Sequence, residues 1–445
     1  MRRPRWKARA WRPGTWVLVL AALFALLQLG TVTGRDTPDT KNYLSYALSL
    51  RGADKREAAA VTIDYACAGK AARASRARSV DVLRFREPSP AARVADTCRS
   101  GLRREVEARL RAGQTGGHTL PFMPERFMRI FEARPGYPVF LIPFITVFGV
   151  TWGVWAAGVV VTAVGGVLVF LVLRGRRGPT PLALTGQALY YVLPCGTTAM
   201  RPMTEGLMLA LTLAALWGCS LALDGRVRAG TVLVAGALLA LFTVKHSQAL
   251  FLGLSLAAAG AAVAVRRWTR RRPAGRGVLA VTAVACGAAV GTVLLARALR
   301  YPTGTDSVQD LLTGHYALPD RDRPWPELLR LEGSFWLEWL RRQLWQPLFA
   351  ALLAAGAWGA LRRRGAFGLF VVATAFSGFL TQAAHPDITV WGERLIVVAW
   401  LLPVVGVPLL LERVALRPTA DVPGPRPRSL PDERSPVTRR TRRTR

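Results

Sequence analysis

Blocks of about 20 consecutive apolar residues, rather than short periodic stripes, constrain this chain more than any other feature. GTWVLVLAALFALLQLGTV (14–32) and GVWAAGVVVTAVGGVLVFLVL (153–173) carry no charge at all. A helix of that length rises ~30 Å, the thickness of a bilayer hydrocarbon core. The expected fold is therefore an all-α polytopic membrane protein. Apolar runs with charged ends mark ten expected spans, near 14–33, 153–173, 181–199, 203–223, 229–245, 247–265, 278–298, 345–361, 366–384 and 394–411. Two of the pairs are tight: the third and fourth are separated only by MRPM, and the fifth and sixth meet at Lys245-His246.

The formal net charge of +33 over 445 residues is distributed in a way that argues against nucleic acid as its target. The arginines stand in short clusters between apolar runs and at both termini, which is the orientation signal of membrane proteins. With a cytoplasmic N-terminus, RGRRG (174–178), DGRVR (224–228), RRWTRRRPAGR (266–276), RRRG (362–365) and the tail all fall inside. The basic start, 1–13, precedes an uncleaved first helix, because QLGTVTGRD lacks a small-residue cleavage site and the apolar run is long for a signal peptide. The expected organisation is this cytoplasmic start, a transmembrane core over 14–411, and a basic tail over 412–445 read as disordered and cytoplasmic. Arginine exceeds lysine and alanine is abundant, a composition of GC-rich bacterial genomes, so the bacterial plasma membrane is the expected location.

On that topology the outer side receives two long loops, 34–152 and 299–344, and the short HPDITVWGE (385–393). Acidic and aromatic residues concentrate there. In GRDTPDTKNYLSYALSLRG (34–52), Thr37 suits an N-cap, Pro38 the first helical position and Asp39 the first turn. Asp39, Tyr43 and Tyr46 share a face at spacings of four and three, so a helix lying along the membrane surface is expected. EARPGYPVFLIPFITVFG (132–149) holds a 12-residue apolar run, too short to span, and reads as a second interfacial helix. Asp36 and Asp39 are either local helix-start charges or a general base just outside the bilayer, able to take a proton from an attacking hydroxyl.

Several cations and carboxylates sit where charge is costly. Lys245 stands between two apolar runs, Glu205 lies in the mouth of the fourth span with Arg201 four residues before it, and Arg394 opens the last span. Arg394, Lys245 and Arg201 are candidate phosphate binders, since a departing phosphate carries charge that a positioned cation stabilises; each is otherwise a snorkelling anchor. Glu205 is a functional candidate or the ion-pair partner of Arg201. His246 and His385 suit interface positions. Trp325, Trp336, Trp339 and Trp345 form either an interface belt or a sugar-stacking surface. Cys67 and Cys98 share the first outer loop, where a disulfide is possible; Cys195, Cys219 and Cys286 read as packing residues. No Cys and His spacing suggests a metal.

Asp39, Tyr43, Tyr46 and Ala47 in a D-x-x-x-Y-x-x-A pattern, followed by P-G-Y-P (135–138) before a helix ending in Phe148-Gly149, resemble the glycosyltransferase C superfamily. RPMTEGLMLALTLAALWG (201–218), LFTVKHSQALFL (241–252) and GERLIVVAWLLPVV (392–405) are similar to later segments of that family, in the same order. The resemblance implies about ten spans with two interfacial helices in the first outer loop. It implies an integral membrane enzyme that moves a sugar from a polyprenyl-phosphate donor to an extracytoplasmic glycan, lipid or protein acceptor with inversion. Asp36 would be the first candidate for general base and Asp39 the second, with Tyr43, Glu205 and His246 in support. The family's second acidic pair is not matched, since Asp306, Asp310 and Asp320 are isolated, so a divalent metal has no motif here and no cofactor is called for. The competing expectations are a membrane transporter, which wants broken helices with polar residues near the midplane, and a non-catalytic scaffold of envelope polysaccharide synthesis.

Overall fold

The computed structural model describes residues 13–176 and 178–415; the basic start up to residue 12 and the tail from 416 lie outside the described residues. Apolar runs too long to be strands become helices throughout, and among the described residues there is no strand. In chain order they are α1 (Pro13–Gln28), α2 (Thr40–Leu50), α3 (Lys55–Ser79), α4 (Ala91–Arg111), α5 (Glu125–Glu132), α6 (Gly136–Gly175), α7 (Thr180–Val192) and α8 (Pro194–Ala199). They continue as α9 (Thr204–Leu223), α10 (Val227–Thr269), α11 (Arg276–Ala298), α12 (Gly304–Leu312), α13 (Pro324–Trp345), α14 (Leu348–Ala383) and α15 (Leu401–Ala415).

Six of the described helices are long and apolar enough to cross a membrane: Pro13–Thr31, α6, α9, α10, α11 and the Gly365–Ala383 limb of α14. A seventh is possible where α13 meets the Leu348–Arg362 limb of α14 at a 90° bend. The chain is thus an all-helical, multi-pass membrane protein. The ten apolar runs do not become ten separate long helices, for two physical reasons. The fifth and sixth runs are the two limbs of α10, which follow one another with no loop between them but are bent apart where the backbone leaves helical geometry at Lys245. The third run is cut at Leu193 into α7 and α8, and the last run forms only the 16-residue apolar helix Val397–Glu412.

Two of the long helices are interrupted at positions that matter later. In α6 the backbone leaves helical geometry at Gly149 (φ 71°, ψ 175°), which divides the short apolar run from the long one. In α10 it does so at Lys245 (φ −162°, ψ 89°). Main-core residues such as Val169, Leu173, Leu213, Leu216, Leu241, Leu252, Phe367, Phe370 and Val404 are buried among α6, α9, α10, α14 and α15. Gln248 ties the second limb of α10 to α14, donating to Ser377 Oγ at 3.0 Å and accepting from Thr381 Oγ1 at 2.5 Å. Opposite charges also meet across the connections after α6 and α9, where Arg176 and Asp224 form an ion pair.

The long first connection folds into a platform. Tyr43, Leu44, Ala47 and Leu48 of α2 pack on Phe131 of α5 and on Tyr137, Leu141 and Ile145 of α6. Beside them α3 and α4 form a hairpin around Ile63, Val106, Leu120 and Phe122, closed by the Cys67–Cys98 disulfide with Cα atoms 5.6 Å apart. Helix α2 starts at Thr40, later than the capping pattern predicts. Thr37 and Thr40 close a turn instead, and Asp39 makes no capping hydrogen bond with its side chain. Its carboxylate is therefore free for another partner.

Candidate active site

That partner is Arg394, 355 residues away in sequence, which forms an ion pair with Asp39. Arg394 Nε also reaches Glu205 Oε1 at 3.3 Å, and Lys245 Nζ approaches the same oxygen at 3.7 Å. Four elements thus meet: the start of α2, the start of α9, the interruption of α10 and the turn before α15. Glu205 is 1% exposed and Lys245 7%, so both charges depend on each other and on Arg394 for compensation. Where α10 is interrupted, the lysine reaches the bundle's charged end while the flanking apolar residues stay in the core. Thr204 Oγ1 donates to the second oxygen of Glu205 at 3.1 Å.

A fifth charge joins from the platform. Arg134, between α5 and α6, donates from Nη1 to Tyr43 Oη at 3.2 Å, and its shielded Nε has no hydrogen-bond partner among the described residues. Burial works against its charge, but the Tyr43 oxygen and the carboxylates of Asp39 and Glu205 outweigh it and hold the guanidinium above its ordinary value. Burial pushes the Tyr43 hydroxyl up in spite of the cation beside it, so Tyr43 is neutral. Arg134 stands inside the EARPGYP stretch, yet no local pattern separates it from the neighbouring Arg126 and Arg129.

The other expected residues are placed elsewhere or at the edge. Asp36 does not face the cluster: it is paired with Arg73 of α3 and packs against Gly69, at the rim of a cavity of about 320 Å³ that Lys41, Lys70 and Glu105 also line. Arg201 pairs with Glu393 at 2.7 Å and not with Glu205, because Lys245 and Arg394 already occupy that carboxylate. His246 lies next to the cluster with its ring 5.4 Å from Tyr301 and its Nδ1 shielded and without a hydrogen-bond partner among the described residues. Trp336 and Trp339 pack on Phe379, whereas Trp345 is 87% exposed.

The second long connection borders the same region. His315, after α12, approaches Asp310 at 3.1 Å and rests on Phe127 of α5. Arg126 binds both Asp306 at 3.0 Å and Asp320 at 2.7 Å, and stacks over Tyr316. The two long connections are therefore clasped together through α5 and α12.

Three cations and two carboxylates converge, leaving one positive charge in excess around a site walled by apolar helices. Such a site favours an anion that can displace a carboxylate from a guanidinium, since arginine pairs equally well with carboxylate and phosphate. Among the described residues no three His, Cys, Asp or Glu side chains are grouped as metal ligands would be. No family model, curated protein or solved structure matches the chain. Fold and site together define an all-helical multi-pass membrane protein with a buried, net-cationic cluster at one end of its bundle.

Proposed function

We propose that the chain is an integral membrane glycosyltransferase of the bacterial plasma membrane, taking a sugar from a polyprenyl-phosphate donor to an extracytoplasmic acceptor hydroxyl with inversion. Both termini are cytoplasmic in this reading and the core has about ten spans, α10 counting as two. The observation that supports it best is the convergence of Asp39, Arg134, Glu205, Lys245 and Arg394. The donor phosphate takes Arg394 and Lys245 as partners, and this releases Asp39 from its ion pair. The acceptor oxygen then attacks the anomeric carbon and gives its proton to Asp39, while the sugar–phosphate C–O bond breaks and the electron pair leaves with the phosphate. The cations stabilise that developing charge. Asp39 takes precedence over Asp36 as base because Asp36 is held by Arg73, away from the cations.

A transporter is the second reading, favoured by one specific observation: α10 is interrupted beside buried charges, as discontinuous helices are around the substrates of transporters. One assay separates the two. Radiolabelled sugar transfer from polyprenyl-phosphate donors to envelope acceptors is measured in membranes holding equal amounts of wild type, Asp39→Asn or Asp36→Asn. Loss of a base contributes roughly 10²–10⁴-fold, so Asp39→Asn is expected to fall by that factor and Asp36→Asn by far less. Wild-type membranes that transfer no sugar, or an Asp39→Asn variant that transfers at the wild-type rate, would move the transporter reading to the front.

A further inference from the structure

The elbow between α13 and α14 is built unlike the rest of the second connection. Along α13, Leu329, Leu337, Leu340 and Leu344 are all at least half exposed, and the stripe continues into Trp345 and Leu348. These positions recur at helical spacing on one face, Trp336 lies at its edge, and Phe335 and Trp339 beyond it pack inward. An apolar stripe of this kind is stable against hydrocarbon and costly in water. Since α13 turns 90° into the apolar limb Leu348–Arg362, a limb that crosses the bilayer leaves α13 lying in the membrane plane with its leucines in the outer acyl layer.

At the elbow itself a cavity of about 530 Å³ opens between Glu338, Arg341, Arg342, Trp345 and Trp391. Glu338 is shared by two arginines, at 3.1 Å from Arg342 and 3.8 Å from Arg341, so one positive charge is left over. The indoles of Trp345 and Trp391 line the same space, and Trp side chains settle at headgroup depth. Arg342 lies over the Trp391 ring and donates to Ile388 O at 3.3 Å, and Trp339 donates to Trp391 O at 3.3 Å. The elbow is thus fixed to the loop that carries Glu393 and Arg394, yet its own charges are separate from the buried cluster.

We infer that this elbow is a binding site for a lipid-borne phosphate. The excess guanidinium charge takes the phosphate, the two indoles flank the headgroup, and the leucine stripe of α13 lies along the acyl chains. The site stands independently of sugar transfer, because it needs only a phosphate on a lipid; a phospholipid headgroup and a polyprenyl monophosphate present the same chemistry.

Native mass spectrometry of the purified full-length protein tests it, with phosphatidylglycerol, a long-chain polyprenyl monophosphate and phosphate-free diacylglycerol titrated in separate arms. Arg341→Gln changes a side chain that is 68% exposed, so it tests the charge without risk to the fold; Arg341→Gln/Arg342→Gln removes both cations. Wild type is expected to retain phosphate lipid at least five-fold better than diacylglycerol, and the substitutions to lower the number retained by one. Retention of both phosphate lipids assigns the site to phosphate in general, and retention of the polyprenyl monophosphate alone assigns it to the isoprenoid. Wild type that retains phosphate lipids no better than diacylglycerol, or variants that both retain as many as wild type, would overturn the assignment.

Discussion

Glu205 is a buried carboxylate held between two cations. It is 1% exposed, accepts from Arg394 Nε and forms an ion pair with Lys245 at once. Removing one side of a buried ion pair strands the other, at about 3–5 kcal/mol, so Glu205→Gln should lower unfolding stability in micelles by that order. Adding Lys245→Gln should recover part of the loss, because the stranded cation is then gone; a single substitution costing under about 1 kcal/mol would show that water already compensates these charges. This part of the site is legible in the sequence, since Lys245, Glu205 and Arg394 each interrupt or open an apolar run where charge is expensive. Asp39 is legible as a candidate but not in its partner, because the capping pattern ascribes its carboxylate a local duty that the later helix start takes away. Arg134 is not legible at all. It is one of 60 Lys and Arg residues, and only its burial against Tyr43 distinguishes it.

Among the elements, α6 shows how a composition pattern and a backbone angle divide the work. The 12-residue run and the long run are separable by eye, but the place where the chain turns is fixed by Gly149, whose φ of 71° and ψ of 175° lie in a region open almost only to glycine. A Cβ at Gly149 would meet nothing within 4 Å, so Gly149→Ala isolates the backbone cost, expected at about 1–3 kcal/mol. Gly236→Ala is the matched control: it lies inside α10 with equally open space, and alanine there should be neutral or stabilising by up to about 1 kcal/mol. Equal unfolding stability of the two variants would mean that the chain turns elsewhere. The same limit explains the span count. Ten apolar runs are visible, but how the chain breaks, between two runs at Lys245 and within one run at Leu193, depends on backbone geometry that hydropathy does not encode.

For the molecule as a whole, the clasp joins its two long connections beside the charged cluster, and its chemistry gives it a pH dependence. Arg126 holds Asp306 and Asp320 together; Asp306, despite the desolvation that opposes it, is kept below the carboxylate range by Thr303 and Arg126, so its charge does not change near neutrality. His315 does. Its hydrogen bond to Asp310 raises it above the ordinary 6.5, burial opposes this, and the charges of Asp310 and Asp39 add to it, while Phe127 covers the ring. The folded clasp therefore prefers the protonated imidazole. Its contribution is complete below the unfolded value and is lost as pH climbs through the raised folded one. Hydrogen–deuterium exchange across 313–323, corrected for intrinsic rates, should be slower at about pH 6 than at about pH 8. His315→Gln should open at both pH values as wild type does at the higher, because glutamine cannot gain the charge that Asp310 rewards. A wild-type clasp with the same corrected exchange at both pH values, or a His315→Gln variant that keeps the difference, would assign the closure to Arg126 and its two aspartates alone.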